Sequence, residues 1–236
     1  MFFYIDWTYV VLVIPAIILS IIASAMVNYT FNKYSKTSSI CGLTASQIAR
    51  QILDKNGLYN VKIEHVGGNL TDHYDPKSNV IRLSDSTYYS TSSAAIGIAT
   101  HEVGHVLQYH KRYFPIKIRQ AIIPVTRIGS QLAVPLIILG VFLSTFGEHF
   151  CYIAYAGIGL FALLVLFQLI TLPVEFNASK RAVKALRANG ILTENELAKA
   201  KKVLIAAAMT YVAALAVSVM QLLRFLIIAT RRSRRN

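Results

Sequence analysis

Two histidines four residues apart, with a glutamate beside the first, are the residues of this chain best suited to chemistry: His101-Glu102-Val103-Gly104-His105. On a helix four steps rotate by about 400°, so both imidazoles leave the same face about one turn apart. At that separation they can hold one zinc ion between them. Zinc lowers the pKa of a coordinated water toward about 7. Glu102 is placed to take the water's proton and return it to the leaving amine of a peptide bond. A site of this kind needs a third protein ligand and one open position. Glu175 leads: it follows the third apolar run, at what reads as the start of a helix, on the same side of the membrane as His101. An ionisable group at a membrane boundary also calls for a partner. Asp72, His73, Asp75 and Asp85 are the alternatives, in or after a hairpin that precedes the histidine helix.

The elements that must position these groups are unusually apolar. Of 236 residues, 55% are hydrophobic and 15% charged, and the mean hydropathy is +0.49. Soluble domains sit nearer 25% charged. The apolar excess is clustered. Ile5 to Val27 is long enough to cross a bilayer, and no basic stretch precedes it as in a signal peptide. Further runs are Gln131 to Gly147 and Tyr152 to Leu172, joined by Glu148-His149-Phe150 as a helical hairpin. The last, Val203 to Ala229, is ambiguous: long enough to cross, but holding Gln221 and Arg224 and ending in Arg231-Arg232-Ser233-Arg234-Arg235.

Between the first two runs lies a polar insertion. Thr44 and Gln47 read as a capping box opening a helix over Ala45 to Lys55, which Asn56-Gly57 stops. Val61 to Val66 alternates as a strand, and Asp72-His73-Tyr74 with Val80 to Leu83 reads as a hairpin around Asp75-Pro76-Lys77-Ser78-Asn79. Ser92 or Ser93 caps a helix from Ala94 to Tyr109 that carries the histidine pair. After Pro115 an amphipathic stretch is expected to lie on the membrane surface ahead of the next span.

The formal net charge is +13. No nucleic-acid-binding motif accompanies the charge, and membrane topology accounts for it better than nucleic acid does. Residues 28–128 hold 12 Lys/Arg and residues 174–202 hold seven, against four after the last apolar run. Lys33, Lys36, Arg119, Arg127, Lys180 and Arg181 flank the spans on one side, which predicts a catalytic part facing the cytoplasm and an N-terminus outside. Cys41 and Cys151 are too few for a disulfide scaffold and are predicted on opposite sides of the bilayer.

The residues resemble a family. Asp75-Pro76 with Val80-Ile81-Arg82-Leu83-Ser84, Ala99-Thr100-His101-Glu102-Val103-Gly104-His105-Val106-Leu107-Gln108, Pro173 to Ser179 and Leu204 to Ala214 are similar to the YugP-like bacterial membrane zinc metallopeptidases, relatives of the HtpX-type gluzincin membrane proteases. The resemblance covers nearly the whole chain. It implies endopeptidase activity on proteins or peptides, membrane proteins among them, and Glu175 as third zinc ligand, matching the Glu of an ExxxD pattern in the HtpX-like relatives. This chain departs from that pattern at the Asp, which is Ser179. Ser179 or Asn177 is then left to supply the hydrogen bond behind a zinc histidine. For substrate docking, an exposed strand can pair with an extended peptide, and Val80, Ile81, Arg82, Leu83 and Ser84 are the candidate. Tyr211 and Arg181 are candidate oxyanion stabilisers.

The remaining features read as ordinary. His65 is a surface strand residue, His110 suits a helix C-terminus, and Glu148-His149 is a solvated turn. Tyr88 and Tyr89 belong to packing, and the arginine tail is topogenic or lipid-contacting.

The expected fold is a mainly α integral membrane protein with a small α+β zincin-like catalytic domain and three or four transmembrane helices. Residues 1–27 form the first span, 28–128 the cytoplasmic catalytic part, 129–173 a membrane hairpin, and 174–236 the third-ligand helix and C-terminal apolar helix. The expected function is zinc-dependent endopeptidase activity with one zinc per chain, a protein or peptide substrate and the lipid bilayer as surroundings. The alternative is a non-proteolytic membrane scaffold with a structural zinc. A homo-oligomer or a regulatory membrane partner is compatible with either.

Overall fold

A computed structural model describes residues 6–233, the side chains of 231–233 excepted. Ile5, at the start of the first predicted span, and the predicted arginine tail lie outside the described residues and side chains. Among the described residues, four helices are long and apolar enough to cross a membrane. They are α1 (Ile14–Ser35, preceded by a π-helical stretch Tyr9–Val13), α4 (Phe114–Leu143), α5 (Cys151–Ala188) and α6 (Glu194–Ser233). Between α1 and α4 lie α2 (Ala45–Lys55), β1 (Lys62–Val66), β2 (His73–Asp75), β3 (Val80–Ser84) and α3 (Ser93–His110). The protein is thus a mainly α membrane protein with a small α+β region. Its contacts divide it into two units: residues up to 22 with 118–172 and from 210 onward, and residues 23–117 with 173–209.

The first unit is built from apolar helix segments. Its core gathers Ile137, Ile158, Phe161, Val165 and Phe225 around Ala133 and Ala229. Small residues let α4 and α5 come close. A Cβ on Gly157 would stand 2.7 Å from the Ala133 carbonyl oxygen, and one on Gly140 would overlap the Ala154 backbone. This is the packing that membrane helices use in place of a hydrophobic driving force. Arg224, the charge within the last apolar run, has Asp6 at 3.5 Å from its Nε and the Tyr9 ring 4.9 Å from its guanidinium. A charge in such a helix needs partners of this kind.

The second unit holds the sheet. Thr44 caps α2: its hydroxyl accepts from the Gln47 amide at 3.3 Å, and the Gln47 side chain accepts from the Thr44 amide at 2.9 Å. Ile48, Ile52 and Leu53 of α2 are fully buried with Ile96 and Val103 of α3 and Ile81 and Leu83 of β3. Asp75 organises the turn from β2 to β3, accepting from the Ser78 hydroxyl at 2.7 Å and the Lys77 amide at 2.9 Å. Those two bonds hold its carboxyl down to about 2. Ser92 caps α3, accepting from the Ala95 amide at 3.2 Å. Thr193 and Glu196 form the equivalent cap of α6, and Glu196 also accepts from the Ile40 amide at 2.8 Å, tying the segment after α1 to this end of α6.

Three sequence expectations are corrected. First, β3 is not an open strand. The sheet order is β1-β3-β2, with β1 parallel and β2 antiparallel to β3, so a neighbour lies on each side of Val80-Ile81-Arg82-Leu83-Ser84. Beyond the end of β2, the Ser84 amide donates to Asp72 Oδ1 at 2.9 Å. An added peptide has no ladder there to join; the outer edges belong to β1 and β2. Second, no helix starts at Glu175. α5 runs unbroken through Pro173. Proline removes one N–H from the ladder, and helices of membrane proteins tolerate that where neighbours compensate. Third, the stretch after Pro115 and the second span are one helix, α4, with Pro124 and Pro135 inside it.

Candidate metal centre

α3 presents His101 and His105 toward α5. Their rings lie 4.8 Å apart, centroid to centroid, and almost perpendicular at 88°. Opposite them Glu175, 2% exposed, points Oε2 at both Nε2 atoms, 3.3 Å from His101 and 3.5 Å from His105. One donor atom from each residue falls within 4.8 Å of the other two, the only such trio of His, Cys, Asp or Glu among the described residues. A carboxylate and two imidazoles converging in a buried space suit a borderline-soft divalent cation such as zinc. Glu102 is buried on the same helix, 7% exposed.

The close approach of the two helices depends on Gly104. A Cβ there would stand 2.5 Å from the Ala178 carbonyl oxygen. Two turns earlier along α3, Gly97 makes a looser approach to α6, where a Cβ would meet the Ala200 Cβ at 3.1 Å. The glycine inside the motif therefore answers to the segment that carries the Glu175 carboxylate.

The far side of each imidazole is tied down. His101 Nδ1 lies 3.1 Å from Ser179 Oγ, and His105 Nδ1 lies 3.0 Å from Gln108 Oε1. The Gln108 amide can be oriented by its own partners. Its nitrogen donates to the Val174 carbonyl at 2.8 Å and to Asn177 Oδ1 at 3.0 Å, which turns its oxygen toward His105. An oxygen there requires a proton on Nδ1, so the neutral ring would offer its lone pair at Nε2, while the protonated ring donates from Nε2 to Glu175. Asn177 Oδ1 accepts in addition from Arg181 Nε at 2.7 Å, and the Arg181 guanidinium lies 5.8 Å from the Tyr113 ring centre.

Electrostatics favours a positive charge in this space. Burial works against a charged His105, but the hydrogen bond to Glu175 and the nearby charges of Glu102 and Glu175 outweigh it and hold the imidazole above its ordinary value. A divalent cation would take over that role from the proton.

The other residues singled out in the sequence fall elsewhere. Asp72 is engaged by the Ser84 amide and by the Ser84 and Thr87 hydroxyls. Asp75 holds its turn, Asp85 meets His65 at 2.6 Å and the Gly68 amide, and His73 Nδ1 lies 2.9 Å from the Thr71 carbonyl. None of the four belongs to the trio. Ser179, Asn177 and Arg181 lie in the same unit as the histidines, whereas Tyr211 falls in the other unit. Cys41 and Cys151 are both free thiols. Sequence reasoning gave Gln108 no role of its own. The available signal was a polar residue three positions after His105, on the buried stripe of α3, where its side chain is fully buried.

A family model described as "Putative neutral zinc metallopeptidase" matches residues 9–230. The chain is similar to "Putative membrane protease YugP" of Bacillus subtilis (strain 168), 46% identical over 220 residues that cover 93% of this chain and 96% of that protein. No solved structure matches.

Proposed function

The chain belongs to the neutral zinc metallopeptidase family, and from that membership we propose that it is a gluzincin-type membrane endopeptidase. In this reading His101, His105 and Glu175 hold one zinc ion per chain, and Glu102 is the general base and acid. Zinc, when bound, supplies a Lewis acid and makes water a competent nucleophile near neutral pH. Glu102 takes the proton of that water and delivers it to the amine of the departing peptide. Ser179 and Gln108 hold the two imidazoles in the tautomer that offers Nε2. Arg181 steadies this arrangement through Asn177. The substrate is a protein or peptide, with membrane proteins included by the setting of the site. The basic flanks of the spans favour a catalytic region on the cytoplasmic side and an N-terminus outside.

The observation that carries the reading is the convergence of two imidazole nitrogens and a buried carboxylate within 4.8 Å, with Glu102 beside the first imidazole on the same helix. The test compares wild type and Glu102→Gln for zinc content and for cleavage of casein and of a membrane-protein substrate. Both should hold one zinc, and only the wild type should cleave. Zinc in both with cleavage by neither would favour a scaffold with a structural ion. Absence of zinc from the wild type would remove the proposal.

A further inference from the structure

Beside the metal centre, α5 and α6 line a groove of about 660 Å³ within the sheet-bearing unit, with Ser179, the partner of His101, in its wall. Its walls are of two kinds. Phe176, Val183, Leu204 and Ile205 supply apolar surface, and Phe176 and Ile205 remain 44% and 46% exposed. Lys180, Lys184, Lys201 and Arg187 supply four cations. Arg187 is paired with Glu194 at 3.1 Å, so the three lysines carry the uncompensated charge of the lining. Among the described residues, no acidic one lines the groove.

The two kinds of lining are sorted along α6, where the order toward the apolar run is Lys201, Leu204, Ile205, Ala208. On α5 Phe176 stands nearest the apolar run that ends near residue 172, Lys180 follows after Ser179, and Val183 and Ala188 alternate with Lys184 and Arg187 beyond it. At the membrane-proximal end of both helices the lining is apolar, and the cations stand farther out. A ligand that fits has an apolar tail at one end and an anionic group at the other.

We propose that this α5–α6 groove binds an anionic phospholipid of the surrounding bilayer, its phosphate on Lys180, Lys184 and Lys201 and an acyl chain along Phe176, Leu204 and Ile205. Lysines beside an anionic lipid headgroup add to its binding, and Lys180 and Lys201 each stand within about three helical turns of an apolar run. An acidic peptide would satisfy the cations but would not explain why Phe176 on α5 and Leu204, Ile205 and Ala208 on α6 stand on the membrane side of them.

The full-length protein in detergent, with Lys180→Gln/Lys184→Gln/Lys201→Gln beside wild type, tests this. Retained lipid is measured by native mass spectrometry after exposure to phosphatidylglycerol or phosphatidylcholine. Zinc content reports whether the variant is folded. Wild type should retain phosphatidylglycerol over phosphatidylcholine, and the variant should lose that preference by roughly fivefold per lysine removed. Should the triple variant not fold, the single Lys184→Gln variant and the weakening of wild-type retention by added salt take its place. Equal retention of the two lipids by wild type, or an unchanged preference in a zinc-loaded variant, would overturn the proposal. So would displacement of phosphatidylglycerol by inorganic phosphate alone or by an acidic peptide lacking an acyl chain.

Discussion

Replacing Gly104 with alanine should damage the metal centre without touching a ligand. The added Cβ would stand 2.5 Å from the Ala178 carbonyl oxygen and 3.1 Å from its carbon. Ordinary contact needs about 1 Å more, and the obstacle is helix backbone, which cannot turn aside as a side chain can. α5 must therefore retreat from α3 by most of that distance, taking Glu175 with it. Metal–ligand distances tolerate only about 0.2 Å, so the carboxylate can no longer complete the trio unstrained. Zinc affinity should fall at least tenfold, the scale on which loss of supporting contacts weakens such sites. Alanine is the better helix former by about 1 kcal/mol, while overpacking costs about 1–3 kcal/mol. The net should be destabilising by up to about 2 kcal/mol. Gly159 serves as control: it lies within α5 and its added Cβ meets nothing within 4 Å, so Gly159→Ala should leave zinc binding unchanged. Chelator competition for affinity and thermal unfolding in detergent for stability are the assays. A Gly104→Ala protein that binds zinc as wild type does would refute the steric argument and the α3–α5 geometry with it.

Gln108→Ala removes the acceptor behind His105 and strands the Val174 and Asn177 contacts; zinc affinity should fall about 10- to 100-fold, and wild-type affinity in a chelator titration would count against the role. Ser179→Ala should weaken zinc similarly, while Ser179→Asp, which places a carboxylate behind His101, should match or exceed wild type; an Asp variant weaker than the alanine variant would contradict the assignment. His105 gives a pH signature with two opposite signs. Its folded value is raised, so protonation stabilises the metal-free protein fully below the unfolded value near 6.5, and that stability is lost as pH climbs through the folded value. Zinc needs the neutral ring, so its affinity should rise over the same range; unfolding of chelator-treated protein and zinc titrations between about pH 5 and pH 9 would show parallel trends if the reasoning were wrong.

Much of this arrangement was legible because it rests on local spacing. The i, i+4 histidines, the Thr44–Gln47 cap, the Ser92 cap and the Asp75 turn are each written within a few residues. What escaped was non-local or depended on compensation. The parallel pairing of β1 with β3 joins segments separated by β2, and nothing in the alternation of Val80 to Ser84 tells a central strand from an edge. Pro173 reads as a helix boundary in isolation, yet α5 continues because packing outweighs one lost hydrogen bond. The reason for Gly104 and the use of Gln108 both lie in what α5 brings opposite them, about 70 residues away in sequence.

The order of the three donors along the polypeptide has a consequence for biogenesis. His101 and His105 leave the ribosome before α4 and the apolar first half of α5, and Glu175 only after them. In the proposed reading a nascent chain carries two donors, too few to hold the ion firmly, until the intervening hairpin has been made. Hydrolytic competence would then arise only once synthesis has passed Glu175, so shorter nascent chains would be unable to digest their neighbours.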